Sequence, residues 1–189
     1  YEIGSCDWSS DVCSSDLPFT YGGDGTTGAR IREAQHKAVE LIPGSGIASI
    51  NDLAYPYEYD EIHPRRKKEV GERLSYLALN RTYGMDYLPC EGPRFKSYEV
   101  RGGEIEVAFY NGESGFSPWH DIVGFEIAGE DKVFHPAEIR RGTRLNTVIV
   151  KSGKVPAPVA VRYCFRDFQV GNFTGRRCLP VIPFRTDNW

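Results

Sequence analysis

The feature that most constrains this chain is a change in hydrophobic period near residues 87–92. Before that point apolar residues recur at helical spacing; after it they alternate with a period of two. Ile31, Ala34, Ala38, Leu41 and Ile42 predict an amphipathic helix over about 28–42, with Thr26 and Thr27 available as caps. The run Pro43-Gly44-Ser45-Gly46 stops it. Residues 46–50 (GIASI) then read as a short strand ending at Asn51-Asp52, and a polar, aromatic loop continues to His63. Pro64 suits the first turn of a second helix, where its missing N–H costs nothing. Val70, Leu74, Leu77 and Ala78 mark the buried stripe of that helix, and Gly84 its end.

Beyond Pro89 the pattern is that of strands. Ile105, Val107 and Phe109 alternate with Glu104, Glu106 and Ala108, and Arg101-Gly102-Gly103 before them reads as a hairpin turn. Further strands are expected over 123–127, 132–134, 147–150 and 159–165. Several short strands without a helical run imply a small antiparallel sandwich. Helix–strand–loop–helix, by contrast, is the tail of a layered α/β domain. The expected fold class is therefore the C-terminal part of an α/β domain (18–87) followed by an antiparallel β-sandwich (90–189).

Residues 7–17 read DWSSDVCSSDL, with neither a hydrophobic period nor turn logic. The string matches the translation of a short-read sequencing adapter. Residues 1–17 are accordingly left out of the fold and expected to lack fixed structure, and the remainder is expected to be the C-terminal piece of a longer chain. The net charge of −3 carries little information, because Asp7, Asp11 and Asp16 lie in that stretch. No basic surplus points to nucleic acid. A 40% hydrophobic content excludes a disordered chain, and no apolar run is long enough to span a membrane. Cys90, Cys164 and Cys178 remain outside the excluded stretch. They show no C-x-x-C spacing, so no zinc site is expected. A Cys164–Cys178 bridge and three free thiols both stay open.

Asp60-Glu61-Ile62-His63 is the sharpest chemical feature. A carboxylate three residues before a loop histidine can accept from its Nδ1–H and leave Nε2 as a general base; the plainer reading is a histidine that bonds locally. Tyr55, Tyr57 and Tyr59 alternate just before it, either lining a site or packing between the two regions. Arg65-Arg66-Lys67-Lys68 reads as a solvated helix face, or as an attractor for an anionic sugar. His36, His120 and His135 lack spaced partners and carry no expected ligand role; no metal is expected.

The surroundings of His63 are more specific. H-P-x-x-K (His63, Pro64, Lys67) runs into V-G-x-R-L (Val70, Gly71, Arg73, Leu74). Upstream stand R-E-A-Q (Arg32 to Gln35) and Asp52. Downstream stand F-E-I-A-G (Phe125 to Gly129), V-R-Y (Val161 to Tyr163), L-P (Leu179, Pro180) and P-F-R-T-D-x-W (Pro183 to Trp189). Together these resemble the sialate O-acetylesterase family of the SGNH hydrolase superfamily, across residues 18–189. The resemblance implies a three-layer α/β/α domain and a serine esterase that removes acetyl groups from sugars without a cofactor. It implies an acetylated sugar or glycan as partner and a secreted or periplasmic location. It places His63 as the catalytic histidine and Asp60 as its acid, with Asp52 as the alternative acid. The family's nucleophilic serine and its oxyanion Gly and Asn donors stand upstream, and no match to them is present; Gly112-Glu113-Ser114-Gly115 has the wrong spacing and lies among the strands. The chain as given is therefore expected to be inactive although its parent is an esterase. An acetylxylan or other polysaccharide acetylesterase, and a non-catalytic carbohydrate-binding or structural β-module, are the alternatives.

Overall fold

The computed structural model describes residues 25–61, 63 and 65–189; the adapter-like residues 1–17 lie outside them. Helix α1 (Thr27–Leu41) forms where the spacing predicts it, but it turns a different face inward. Gly28, Ala29 and Arg32 are buried, whereas Ile31 and Leu41 are 38% and 81% exposed. The reason is polar. The Gly28 amide donates to Asp167 Oδ1 at 2.6 Å, and the Arg32 guanidinium donates to the carbonyls of Arg166 and Asp167. A helix N-terminus carries orphan N–H groups and partial positive charge. A carboxylate distant in sequence meets both needs here, and Thr26, expected as a cap, makes no side-chain capping bond.

Ile47 to Ile50 are buried, yet residues 46–50 form no ladder with any described residue. The expected strand is thus absent from this stretch. Apolar side chains are enough for burial, but a strand also needs a neighbouring backbone for its N–H and C=O groups. Helix α2 (Lys67–Arg81) begins three residues later than Pro64 predicts. The chain is still turning there: the Arg65 amide donates to Glu58 Oε1 at 3.1 Å and the Lys67 amide to the Arg65 carbonyl at 2.9 Å. Val70, Arg73 and Leu77 are its buried residues. Its end follows expectation, with Gly84 at φ +69° and the Met85 amide returning to the Leu79 carbonyl at 3.0 Å.

Ten short strands follow. β1 (Arg94–Arg101) and β2 (Glu104–Tyr110) form the expected hairpin, pairing Arg101 with Glu104 across Gly102-Gly103. β3 (Phe116–Ser117), β4 (Phe125–Ala128), β5 (His135–Pro136), β6 (Glu138–Arg141), β7 (Thr147–Lys151), β8 (Ala160–Tyr163), β9 (Thr174–Gly175) and β10 (Phe184–Arg185) complete the set. They build two four-stranded sheets, ordered β1-β2-β7-β6 and β10-β8-β4-β5, with β3 and β9 paired separately. Every ladder among the described residues is antiparallel. The predicted strand at 132–134 is instead a turn closed by the Lys132 amide on the Gly129 carbonyl at 3.0 Å, with Lys132 at φ +60°. Positive φ breaks a strand, so β5 starts only at His135.

The two sheets share one core. Ile105, Val107, Phe109, Val148 and Val150 from the first meet Phe125, Ile127, Val161, Tyr163 and Phe184 from the second. Phe184 stacks on Phe95 with centroids 5.0 Å apart and meets Phe109 edge-on at 5.6 Å. The alternation of β2 therefore works as read, one face going to the core. A second, smaller core joins Ile50, Leu53, Ala54 and Val70 to Phe168 and Val170. It seats the segment after residue 50, and α2, against the strand-rich part. Cys90, Cys164 and Cys178 are all free, which settles the open choice: Cys164 is buried, Cys178 is exposed, and no bridge joins them. No helix among the described residues is long and apolar enough to cross a membrane.

Candidate functional site

The loop from Asn51 to Arg66 carries the three candidate site residues. Its base is fixed at Asn51, which is buried. The Asn51 side chain accepts from Ser49 Oγ at 2.9 Å, and its carbonyl accepts from the Gly171 amide at 3.2 Å. Asp52 follows immediately and is committed to α2. Both its oxygens accept from Arg73, each at 2.6 Å, and Arg73 also donates to the Ser49 carbonyl at 2.6 Å. A bidentate carboxylate–guanidinium pair is among the stronger polar contacts a protein makes. It gives Asp52 a structural task in holding the loop's base to the helix.

The loop's tip is organised by Glu58, a residue the sequence reading passed over. Glu58 is 2% exposed. Its Oε2 accepts from the Tyr55 amide at 2.7 Å and its Oε1 from the Arg65 amide at 3.1 Å. Those two amides flank Asp60 and His63, so one buried carboxylate clamps both ends of the segment that bears them. The signal in the sequence was the turn Tyr55-Pro56-Tyr57-Glu58, where proline opens a 3-10 turn and a glutamate closes a capping box.

Asp60 and His63 themselves are exposed. Among the described residues no hydrogen bond or ion pair joins His63 to Asp60 or to Asp52. Tyr55 and Tyr57 stack in parallel with centroids 5.3 Å apart, and the Arg65 guanidinium lies 5.3 Å from the Tyr57 ring. Tyr55, Tyr57 and Tyr59 are 40%, 57% and 53% exposed, so of the two readings open for them they present a surface rather than packing between the two regions. An exposed imidazole can take a proton from a bound hydroxyl, and exposed aromatic rings offer flat apolar faces on which a ligand can stack. A cleft of about 700 Å³ lies elsewhere, between α1, residues 43–49, Cys90–Arg94 and Leu179–Arg185, and neither His63 nor Asp60 lines it.

Among the described residues the cysteines are Cys90, Cys164 and Cys178, and none of them belongs to this loop. Burial pushes the Cys164 thiol up to about 12, and it also raises Cys90. No group of three or more His, Cys, Asp or Glu among the described residues could hold a metal ion.

The chain is similar to a solved structure, that of a carbohydrate acetylesterase from Xanthomonas citri. The two share 39% sequence identity with a TM-score of 0.81, over 93% of this chain. The present chain spans 40% of the length of that structure. No protein-family model matches the chain, and no curated protein matches it either. The likeness runs through both the helical and the strand-rich stretches, because 93% coverage leaves room for neither to be omitted.

Proposed function

We propose that this chain is the histidine-bearing part of a serine carbohydrate esterase that removes O-acetyl groups from sugars, of the sialate O-acetylesterase type among SGNH hydrolases. The observation that supports the carbohydrate-esterase part of this reading is the 39% identity to a carbohydrate acetylesterase over 93% of the chain; the sialate O-acetylesterase type rests on the sequence motifs around His63. In the mechanism, His63 Nε2 takes the proton of a serine supplied by the rest of the protein as that serine attacks the acetyl carbonyl. The oxyanion donors also come from outside residues 18–189. His63 then returns the proton to the departing sugar oxygen, and water, deprotonated by the same imidazole, releases acetate. Asp60, three residues before His63, orients the ring once the site is assembled; hydrogen bonds of this kind are often long until substrate binds. Glu58 and the Asp52–Arg73 pair are positioning groups: they hold the loop that carries the base. The Tyr55–Tyr57 surface supports a sugar substrate over a small ester.

The test is to fuse residues 18–189 behind the upstream portion of the Xanthomonas citri enzyme and to measure acetate release from p-nitrophenyl acetate, 9-O-acetyl sialate and acetylated xylan. His63→Ala in the fusion is expected to lower kcat by roughly 10³-fold or more, and Asp60→Asn to lower it further than Asp52→Asn. Full activity in the His63→Ala fusion would overturn the assignment. The 189-residue chain alone is expected to show no turnover that depends on His63. Preference between sialate and xylan decides between the sialate reading and its polysaccharide alternative.

A further inference from the structure

A second cleft, about 610 Å³, opens at one end of the paired sheets, far in sequence from the His63 loop. Its lining is unusually cationic. Arg141, Arg144 and Arg176 border it together with Trp119 and Phe116, and Glu113 is its one carboxylate. None of the three arginines makes an ion pair with a carboxylate among the described residues; the side chain of Arg141 lies over the Trp119 ring at 5.2 Å. The contrast with neighbouring cations is informative. Arg140 and Lys151 both pair with Glu104, at 2.5 and 3.5 Å, and Arg101 pairs with Glu99 and Glu106 at 2.8 Å. Strand alternation along β6 sends Arg140 to an acid and Arg141 to the cleft.

The turn that presents Arg141 and Arg144 is held by several hydrogen bonds. Glu106, buried on β2, accepts at one oxygen from the Thr143 amide (2.7 Å), Thr143 Oγ1 (2.6 Å) and Thr147 Oγ1 (2.8 Å). The Arg144 amide in turn donates to Thr147 Oγ1 at 3.0 Å. Gly142 allows this closeness, since a Cβ there would stand 2.1 Å from Thr147 Oγ1. A hydrogen-bonded turn fixes where the Arg141 and Arg144 side chains start, and planar guanidinium donor forks match carboxylates.

We propose that this cleft binds a carboxylate-bearing oligosaccharide, with Arg144 and Arg176 donating to the carboxylates of successive sugar units and Trp119, held by Arg141, forming the apolar wall. The volume is in the range of small-molecule sites and exceeds that of a single inorganic anion. The choice of a saccharide rests on the carbohydrate reading above; the unpaired guanidinium groups do not.

Calorimetry on the 189-residue chain tests the proposal with a tetragalacturonate, neutral xylotetraose, inorganic sulfate and a single-stranded thymidine octamer as probes. The tetragalacturonate is expected to bind, and Arg144→Gln/Arg176→Gln to weaken it about tenfold or more. Arg140→Gln/Lys151→Gln removes the same charge away from the cleft and is expected to change the affinity less than twofold. Both variants are checked for an unchanged melting curve. Equal binding of xylotetraose, or equal losses in both double variants, would overturn the cleft as a carboxylate site. Sulfate or the thymidine octamer binding as tightly as the tetragalacturonate would overturn the saccharide and leave a general anion surface. None of these outcomes depends on esterase activity, so failure of the His63 assignment would be seen separately.

Discussion

Replacing Arg73 with alanine removes a polar contact that ties the base of the His63 loop to α2, and its cost can be worked from the geometry. Arg73 makes three hydrogen bonds, two to Asp52 and one to the Ser49 carbonyl, all at 2.6 Å. The side chains are 10% and 18% exposed. An exposed pair would be worth under about 1 kcal/mol, whereas removing one partner of a fully buried pair costs roughly 3–5 kcal/mol. These exposures lie near the buried limit, with some water reaching Asp52, so Arg73→Ala is expected to cost about 2–4 kcal/mol. Part of that is the Ser49 carbonyl, which a double-mutant cycle with Asp52→Ala separates out. The coupling between Arg73 and Asp52 is then expected at about 1.5–3 kcal/mol. Urea unfolding of the parent, the two single variants and the double variant measures it. Coupling below about 0.5 kcal/mol would refute this: Asp52 would then be free of Arg73 and open to a partner other than α2.

Two further perturbations test how the parts are joined. For Glu106, burial alone would raise the carboxyl, but hydrogen bonds from Thr143 and Thr147 and the adjacent Arg101 charge bring it down to about 2. A folded value below the unfolded one means stability that is present above about pH 4.5 and lost as pH falls toward 2; Glu106→Gln should flatten that limb and lower stability at pH 7 by about 2 kcal/mol. Urea midpoints at pH 5 and pH 2.5 check this, and equal pH slopes for the two proteins would count against it. Asp167→Ala should release the N-terminus of α1, costing about 1–2 kcal/mol as a lost helix cap does. Hydrogen exchange would then speed up at residues 28–31 ahead of the β2 and β7 amides, and unchanged protection there would show that the Gly28 contact does not hold the helix.

Much of the architecture is carried by local pattern alone. The change of period near residue 90, the Gly102-Gly103 hairpin, the inward set Ile105, Val107 and Phe109, and the end of α2 at Gly84 all follow from rules that act over a few residues: side-chain alternation, turn chemistry and left-handed glycine. The His63 motif was visible for the same reason, as Asp60, His63, Pro64 and Lys67 are neighbours in the chain. What tertiary structure decided depends on partners far away in sequence. Asp167 chose which face of α1 is buried, by meeting an amide 139 residues upstream. Arg73 took Asp52 as its partner across 21 residues, and Glu106 gathered Thr143 from the turn before β7 and Thr147 from β7 itself. Residues 46–50 show the converse, a strand-like pattern with no described neighbour to make it a strand. Hydrophobic period tells a segment how to coil, but a buried polar group takes its place from whichever donor or acceptor the fold delivers, and that delivery is not written in any local stretch.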